Sequence, residues 1–144
     1  MLRLDAFLPY QLSIASNAVS SAIARTYESL FGLRIPEWRL VAVLAEEDGV
    51  TQQALVARTE MDKMTVSRAA QALVTRGLVT RVPHGRDKRS HTLALSDEGR
   101  ALYAQISPKA LELETRLLEA LGEPEIARFK KTLAKLKAAS DALR

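Results

Sequence analysis

Residues 62–95 decide the fold of this chain, and their sequence is DKMTVSRAAQALVTRGLVTRVPHGRDKRSHTLAL. The first part predicts an amphipathic helix that begins behind Asp62, a suitable N-cap, and ends at Gly77. Apolar residues recur there at helical spacing and should form a buried face: Val66, Ala70, Leu73 and Val74. The outward face carries hydrogen-bonding or cationic side chains: Lys63, Thr65, Ser67, Arg68 and Gln71.

A short hairpin should follow this helix. Leu78 to Val82 predicts one strand, residues 83–88 predict a turn, and Arg89 to Leu95 predicts a second strand with Leu93 and Leu95 inward. The turn and its edges would then present three basic side chains together: Arg86, Lys88 and Arg89. Such an exposed cluster favours an anionic partner.

Positive charge is concentrated in the same stretch. Between Asp62 and His91, seven Lys or Arg residues stand against two Asp, a surplus of five, whereas the whole chain has a formal net charge of +4. The rest of the chain is therefore close to neutral. A positive potential limited to one helix and one hairpin favours a polyanion bound on a defined surface over a solvated charged face.

Length and composition favour one compact domain, with 144 residues and 47% hydrophobic content. The sequence has neither an apolar run of about 18 residues nor a signal-peptide pattern, so we expect a cytoplasmic protein that does not contact membranes. It has no cysteine, which excludes disulfides and thiolate chemistry. Only 5% of the residues are aromatic, which disfavours single-strand binding by base stacking.

Three helices should precede the central stretch. The first should begin near Pro9 and end at Gly32, and its apolar stripe is Leu12, Ala15, Val19, Ile23, Tyr27 and Leu30. The second should begin at Pro36 and bury Trp38 in register with Val41 and Leu44. Thr51 should cap a short third helix. Together with the helix after Asp62 and the hairpin, the second and third helices predict a winged helix-turn-helix.

Two long helices should follow the hairpin. Ser96 predicts the N-cap of the first, which should continue through Pro108 to Leu121 as one bent helix, because the apolar stripe persists on both sides of the proline. Pro124 should begin the last helix, whose apolar seam is Ile126, Phe129, Leu133, Leu136 and Leu143. This seam could lie on its own domain. A homodimer is the more economical explanation, because the first, fifth and sixth helices carry more apolar surface than one small domain can cover.

Several segments resemble the multiple antibiotic resistance regulator (MarR) family of winged helix-turn-helix transcription factors. They are residues 35–39, 62–68, 76–79, 87–90 and 93–99, and the Asp-x-Arg formed by Asp87 and Arg89 is the most specific of them. The resemblance implies a homodimer on a near-palindromic double-stranded DNA operator, usually a repressor released by a small aromatic carboxylate. It also implies that Asp87 holds the wing while Arg86 or Arg89 reaches the minor groove.

We therefore expect a mainly α fold with a small β-hairpin wing, an α+β winged helix-turn-helix in which residues 1–144 form a single domain. Residues 35–95 would bind DNA, and residues 8–32 and 96–144 would be dimerisation helices. The expected DNA-binding residues are Thr51, Gln52, Lys63, Thr65, Ser67, Arg68, Gln71, His84, Arg86, Asp87, Lys88 and Arg89. The alternative is an architectural protein indifferent to sequence, which the hydrogen-bonding groups on the central helix disfavour.

The resemblance also implies an effector pocket between the first two helices and the base of the fifth. Polar or aromatic residues set among apolar ones support this placement: Ser13, Asn17, Trp38 and Arg39. Arg39 could pair with a ligand carboxylate or with an internal acid such as Glu37 or Glu98.

Neither an enzyme nor a bound metal or cofactor is expected. Ser90, His91 and Asp97 are close in sequence, but Ser90 and His91 should point to opposite faces of one strand. The only histidines are His84 and His91, without acidic residues at ligand spacing, so we assign His84 to phosphate contacts.

Two wing variants test this interpretation. Arg86→Ala should lower the slope of log affinity against log salt by about one unit per lost phosphate contact, or about two in a dimer. Asp87→Ala removes a negative charge near DNA, yet we expect weaker binding because the acid orients the wing. Titrations of duplex DNA at several salt concentrations measure both effects. An unchanged slope for Arg86→Ala, or tighter binding by Asp87→Ala, would contradict this role of the wing.

Overall fold

The computed structural model describes residues 1–84 and 87–144, with the backbone alone at residues 84 and 87–90. After a short 3-10 turn at Leu4–Ala6, the elements are α1 (Leu8–Phe31), α2 (Ile35–Glu46), β1 (Val50–Thr51), α3 (Gln52–Thr59), α4 (Lys63–Thr75), β2 (Val79–His84), β3 (Asp87–Leu95), α5 (Asp97–Leu117) and α6 (Glu123–Ala142). The order confirms a mainly helical fold with a small sheet. Residues 1–106 and 107–144 form two compact units.

The predicted N-caps of α3 and α4 are confirmed. The Thr51 hydroxyl accepts a hydrogen bond from the Ala54 amide at 3.1 Å, and the Asp62 carboxylate accepts one from the Thr65 amide at 2.8 Å. Each cap satisfies an amide that has no partner within its helix. Both helices of the helix-turn-helix therefore begin where local sequence chemistry predicts.

The sheet differs from the predicted two-stranded hairpin. Its three antiparallel strands lie in the order β1-β3-β2, so Leu93 on β3 is paired with Val50 on β1 and with Arg81 on β2. The sequence analysis missed β1 because two residues are too few to show alternation. The predicted turn of residues 83–88 was also too long, since Pro83 and His84 belong to β2, and β3 begins at Asp87. A proline is tolerated there because β2 is an edge strand.

The core of residues 1–106 is formed by α2, α3, α4 and the sheet, with contributions from the α1–α2 connection and from α5. Its fully buried large side chains are Leu33, Leu40, Leu44, Leu55, Leu73, Leu93, Ile106, Val41 and Val66. Val74 was predicted to be buried but is half-exposed, and Ala69 is buried instead. Trp38, which was predicted to be buried with Val41 and Leu44, is half-buried. Its ring packs against aromatic rings, with centroid distances of 5.1 Å to Tyr27 and 6.3 Å to Tyr103.

Much of the apolar surface of the long helices is exposed. On α1 only Tyr27 is buried, while Leu12 and Leu30 of the predicted stripe are exposed. α5 passes through Pro108 without a break, as predicted, but ends at Leu117 rather than Leu121. In the unit of residues 107–144, Phe129 and Leu133 of α6 are also exposed. Among residues 1–84 and 87–144, no helix has the length and hydropathy to span a membrane.

The start of α5 is packed directly on the end of α4 and the start of β2. Ser96 donates a hydrogen bond from its hydroxyl to the Gly77 carbonyl at 2.6 Å and accepts one from the Gly99 amide at 3.1 Å. A Cβ at Gly99 would lie 2.1 Å from the Leu78 carbonyl oxygen. This approach is too close for any side chain, and the obstacle is backbone that cannot rotate away.

Gly99→Ala should therefore destabilise the protein, although alanine is ordinarily the better helix former. Overpacking against a rigid backbone costs about 1–3 kcal/mol, which exceeds the gain of about 1 kcal/mol from helix propensity. Urea denaturation of the variant and the wild type measures the difference in unfolding free energy. A stabilised Gly99→Ala variant would show that the contact is not close in solution.

Candidate nucleic-acid interface

α4 is anchored on one side and exposed on the other. Val66, Ala69, Ala70 and Leu73 are buried against the core. Four other residues form an exposed ridge along the helix, which we call the outward ridge: Met64, Arg68, Gln71 and Thr75. These residues alternate at spacings of four and three, so they follow one side of the helix. A helix buried on one face with a continuous exposed ridge can enter a groove of a partner.

The N-terminal turn of α4 is held by Asp62. Besides accepting the Thr65 amide, Asp62 accepts a hydrogen bond from the Thr65 hydroxyl at 2.7 Å. Both hydrogen bonds favour the charged carboxylate, the side-chain bond most strongly, and they lower the pKa of Asp62 below its ordinary value of 3.8. The hydroxyl proton of Thr65 is thus committed to the cap, and its side chain is half-buried.

A cleft of about 440 Å³ lies on the α3 side of α4. Its lining consists of Gln52, Gln53, Val56, Lys63 and Ser67. Three of these residues, Gln52, Lys63 and Ser67, were predicted to bind DNA, so the fold brings them together. The Oε1 atom of Gln52 is buried and has no hydrogen-bond donor among the residues that the structure describes. Thr51, also predicted, lies beside them as the cap of α3.

A second cleft, of about 450 Å³, lies on the α2 side of α4. It is lined by Gly32, Arg34, Pro36, Glu37, Thr65, Arg68, Ala69, Ala72 and Arg76. Here the fold brings together the predicted residues Thr65 and Arg68. The buried carboxylate of Glu37 accepts a hydrogen bond from the Arg34 amide at 2.9 Å and so closes the first turn of α2.

Arg76 does not belong to the outward ridge, although the charge count included it. Its guanidinium donates hydrogen bonds to the Gly32 carbonyl at 2.9 Å and the Phe31 carbonyl at 3.2 Å. These are carbonyls at the C-terminus of α1, where a cation is favourable. The positive charge of Arg76 is therefore used to join α4 to α1.

The wing residues are described only in part. Arg86 lies outside the described residues, as do the side chains of His84, Asp87, Lys88 and Arg89. The backbone does place His84 opposite Asp87 at the end of the paired strands, with an irregularity in the pairing between Pro83 and His84. Arg81 on β2 is exposed and adds a cation near the base of the wing.

The residues predicted to bind an effector lie on α1 and α2. Ser13 and Asn17 are exposed on α1, and Arg39 is exposed on α2. Within residues 1–84 and 87–144, Arg39 makes no ion pair with Glu37 or Glu98, the two acids considered as internal partners. The carboxylate of Glu37 accepts a hydrogen bond from the Arg34 backbone amide instead. Trp38 lies between Tyr27 and Tyr103 and is half-buried.

Sequence reasoning missed three residues of this surface: Arg34, Gln53 and Met64. Met64 could have been predicted from its position on the outward side of the helix. It was missed because only polar and charged residues were considered on that face. Arg34 and Gln53 belong to clefts formed between helices, and no local pattern signals such a cleft.

A helix-turn-helix with an exposed second helix and a following antiparallel hairpin defines the winged helix-turn-helix class of DNA-binding proteins. A family model described as "MarR family" matches residues 31–90. The chain belongs to the MarR family and is a DNA-binding transcriptional regulator, not an enzyme.

Two kinds of comparison support this assignment. The HTH-type transcriptional regulator FarR from Neisseria gonorrhoeae is 30% identical over 107 residues, which cover 74% of this chain and 73% of FarR. The crystal structure of the MarR family transcriptional regulator SPO1453 from Silicibacter pomeroyi DSS-3 is 33% identical, with a TM-score of 0.79 and complete coverage (100%) of both chains. A MarR/EmrR family regulator from Acinetobacter sp. ADP1 matches at a TM-score of 0.89 and 28% identity, over 98% of this chain and 99% of that one.

Proposed function

We propose that this regulator binds a specific, near-palindromic duplex DNA as a homodimer, represses transcription there, and is released by a small aromatic carboxylate or its derivative. The observation that carries the proposal is the outward ridge of α4, with a cleft on each side that contains polar and charged side chains. A ridge of this kind suits the major groove, and polar residues beside it suit the phosphates that border the groove. The same proposal places the protein in the cytoplasm, together with its DNA.

Sequence preference is expected from the chemistry of the outward ridge. Arg68 has a guanidinium that can bond the O6 and N7 atoms of guanine, and Gln71 has an amide that can bond adenine. The Gln71 amide nitrogen donates to the Thr75 hydroxyl at 3.3 Å, which orients the amide along the ridge. Lys63 and the α3 N-terminus, on the α3-side cleft, are suited to phosphates. Comparing affinity for the DNA upstream of the protein's own gene with affinity for random duplex tests this preference.

Arg68→Ala should relax the preference at one definable base pair by about 1–3 kcal/mol. Arg58→Ala is a matched control, because it removes the same charge from α3 at a residue already paired with Glu46. Affinities for a set of duplexes with single base-pair changes measure both variants. If Arg68→Ala weakened every duplex equally, as an architectural protein would show, the assignment of Arg68 to base contacts would be wrong.

The dimer proposal rests on apolar surface that a single chain leaves exposed. In α6, Phe129 is 50% exposed and Leu133 is 41% exposed. α1 also exposes Leu8, Leu12 and Leu30, which lie on one face of the helix. Isolated exposed apolar residues are ordinary, but successive ones on one helix face indicate a surface covered by a partner. A second copy of the chain is the partner proposed, since two-fold symmetry would also place two copies of α4 on a palindrome.

Replacing Phe129 and Leu133 together with alanine should shift the protein from dimer to monomer and greatly weaken operator binding. A double alanine variant at Lys131 and Lys135, which lie on the opposite face of α6, should remain dimeric. Sedimentation velocity on the full chain distinguishes the two outcomes. A Phe129/Leu133 variant that stays dimeric would place the dimer interface elsewhere.

The effector proposal concerns Trp38 and its surroundings. Trp38 is the single tryptophan of the chain, and its ring is stacked on that of Tyr103 with an angle of 15° between the rings. Arg39 follows it with a guanidinium that has no acidic partner among the described residues, so a ligand carboxylate could bond to it. CouR from Rhodococcus jostii RHA1, 22% identical with a TM-score of 0.80 over 94% of this chain and 95% of its own, was crystallised bound to p-coumaroyl-CoA. This ligand is a derivative of an aromatic acid, which is the class of effector proposed for this chain.

An effector that enters this region should change the fluorescence of Trp38 and lower the affinity for operator DNA. Benzoate, p-coumarate and p-coumaroyl-CoA are suitable probes. Arg39→Ala and Asn17→Ala should each raise the ligand concentration needed for both responses at least tenfold, since a charge-assisted hydrogen bond contributes about 1.5–3 kcal/mol. Arg58→Ala should respond as the wild type does. Release of DNA that is unchanged in Arg39→Ala and Asn17→Ala would place the pocket elsewhere.

A further inference from the structure

Met64 is an unusual residue on the surface of α4. It occupies the first turn of the helix, two residues after the Asp62 cap, and the residue is 63% exposed. It is one member of the outward ridge, and the other members, Arg68, Gln71 and Thr75, are polar. The other apolar residues of the helix are buried or half-buried, so the exposure of Met64 is not explained by packing within the chain.

The distribution of exposed apolar side chains sets Met64 apart. Among the described residues, most large exposed apolar side chains lie in residues 1–30 or 111–143. Within residues 35–84 and 87–95, the only ones are Met64 and Val82. The two ends of the chain are where dimer contacts are proposed, whereas Met64 lies on the helix proposed to enter the DNA. Any partner that covers Met64 is therefore one that α4 itself meets.

The neighbours of Met64 define the chemistry of that partner. Thr65 is turned toward Asp62 by its hydroxyl hydrogen bond, and Lys63 and Ser67 line the α3-side cleft. Arg68 lies one turn farther along the same ridge. The tip of the ridge thus offers a flexible apolar thioether first and a guanidinium next. In the major groove, the apolar group on a base edge is the 5-methyl group of thymine.

We propose that Met64 is a specificity-determining residue that packs against the 5-methyl group of a thymine in the major groove. The inference rests on the proposed function, since it requires α4 to lie in the groove. Methionine suits this contact because its side chain is unbranched and its sulfur is polarisable, so it can follow the shape of the base edge. It selects thymine over cytosine, which lacks the methyl group and presents an amino group at the adjacent position.

Replacing thymine by deoxyuridine tests the contact, because the two bases differ only in the methyl group. A preferred duplex is first selected from a random library with the wild-type protein, and each thymine in it is then replaced singly. In each half-site, replacement of one particular thymine should lower the affinity of the wild type about fourfold. This is the loss expected when one methyl group is no longer buried. Met64→Ala should bind the thymine and deoxyuridine duplexes equally, and Met64→Leu should restore the difference.

The outcomes separate this inference from the proposed function. A library that yields no preferred sequence overturns the proposed function, and the inference falls with it. A preferred sequence in which every deoxyuridine effect is the same for wild type and Met64→Ala overturns the inference alone. Met64→Ala should unfold at the same temperature as the wild type, because the side chain is exposed. A Met64→Ala variant with a lowered melting temperature and uniformly weaker binding would show a structural role and overturn the inference.

Discussion

Burial of one face of α4 is the constraint on which the rest of the interface depends. Each residue of an α-helix is rotated by about 100° from the last, so fixing Val66, Ala69, Ala70 and Leu73 in the core also fixes the direction of every other side chain. The outward ridge exists because that face is buried, and the two clefts exist because α2 and α3 cover only the sides of the helix. Core packing and the outward ridge proposed to meet DNA are thus two consequences of one helical pattern.

The position of α4 along its axis depends on contacts at both ends. At the N-terminus, the Asp62 cap is local and visible in the sequence. At the C-terminus, the contacts come from distant parts of the chain: Arg76 bonds to carbonyls of α1, and Ser96 bonds to the Gly77 carbonyl. Gly99 allows the start of α5 to lie against Leu78. The helix proposed to face DNA is consequently joined to α1 and α5.

The sequence predicted those features that depend on neighbouring residues. Three features were predicted correctly: the caps of α3 and α4, the end of α1 at Gly32 and the continuity of α5 through Pro108. Each depends on residue spacing or on the chemistry of a single residue. β1 was missed because its pairing with β3 joins residues far apart in sequence. The role of Arg76 was missed for the same reason, since a count of charges gives no information about their partners. Of the site, the outward face of α4 was largely predictable, whereas the two clefts required the packing of three helices.

The link between α1 and α4 also bears on how an effector could act. Tyr27 and Phe31 lie in the last turns of α1, and Tyr27 contacts Trp38, the residue proposed to report on the effector. The Phe31 carbonyl accepts a hydrogen bond from Arg76 at the end of α4. The last turn of α1 therefore contacts both the aromatic cluster and α4 within residues 1–106. A ligand that binds better when this turn is displaced would favour a displaced α4 and so lower the affinity for DNA. By linkage, bound DNA would lower the affinity for that ligand by the same factor.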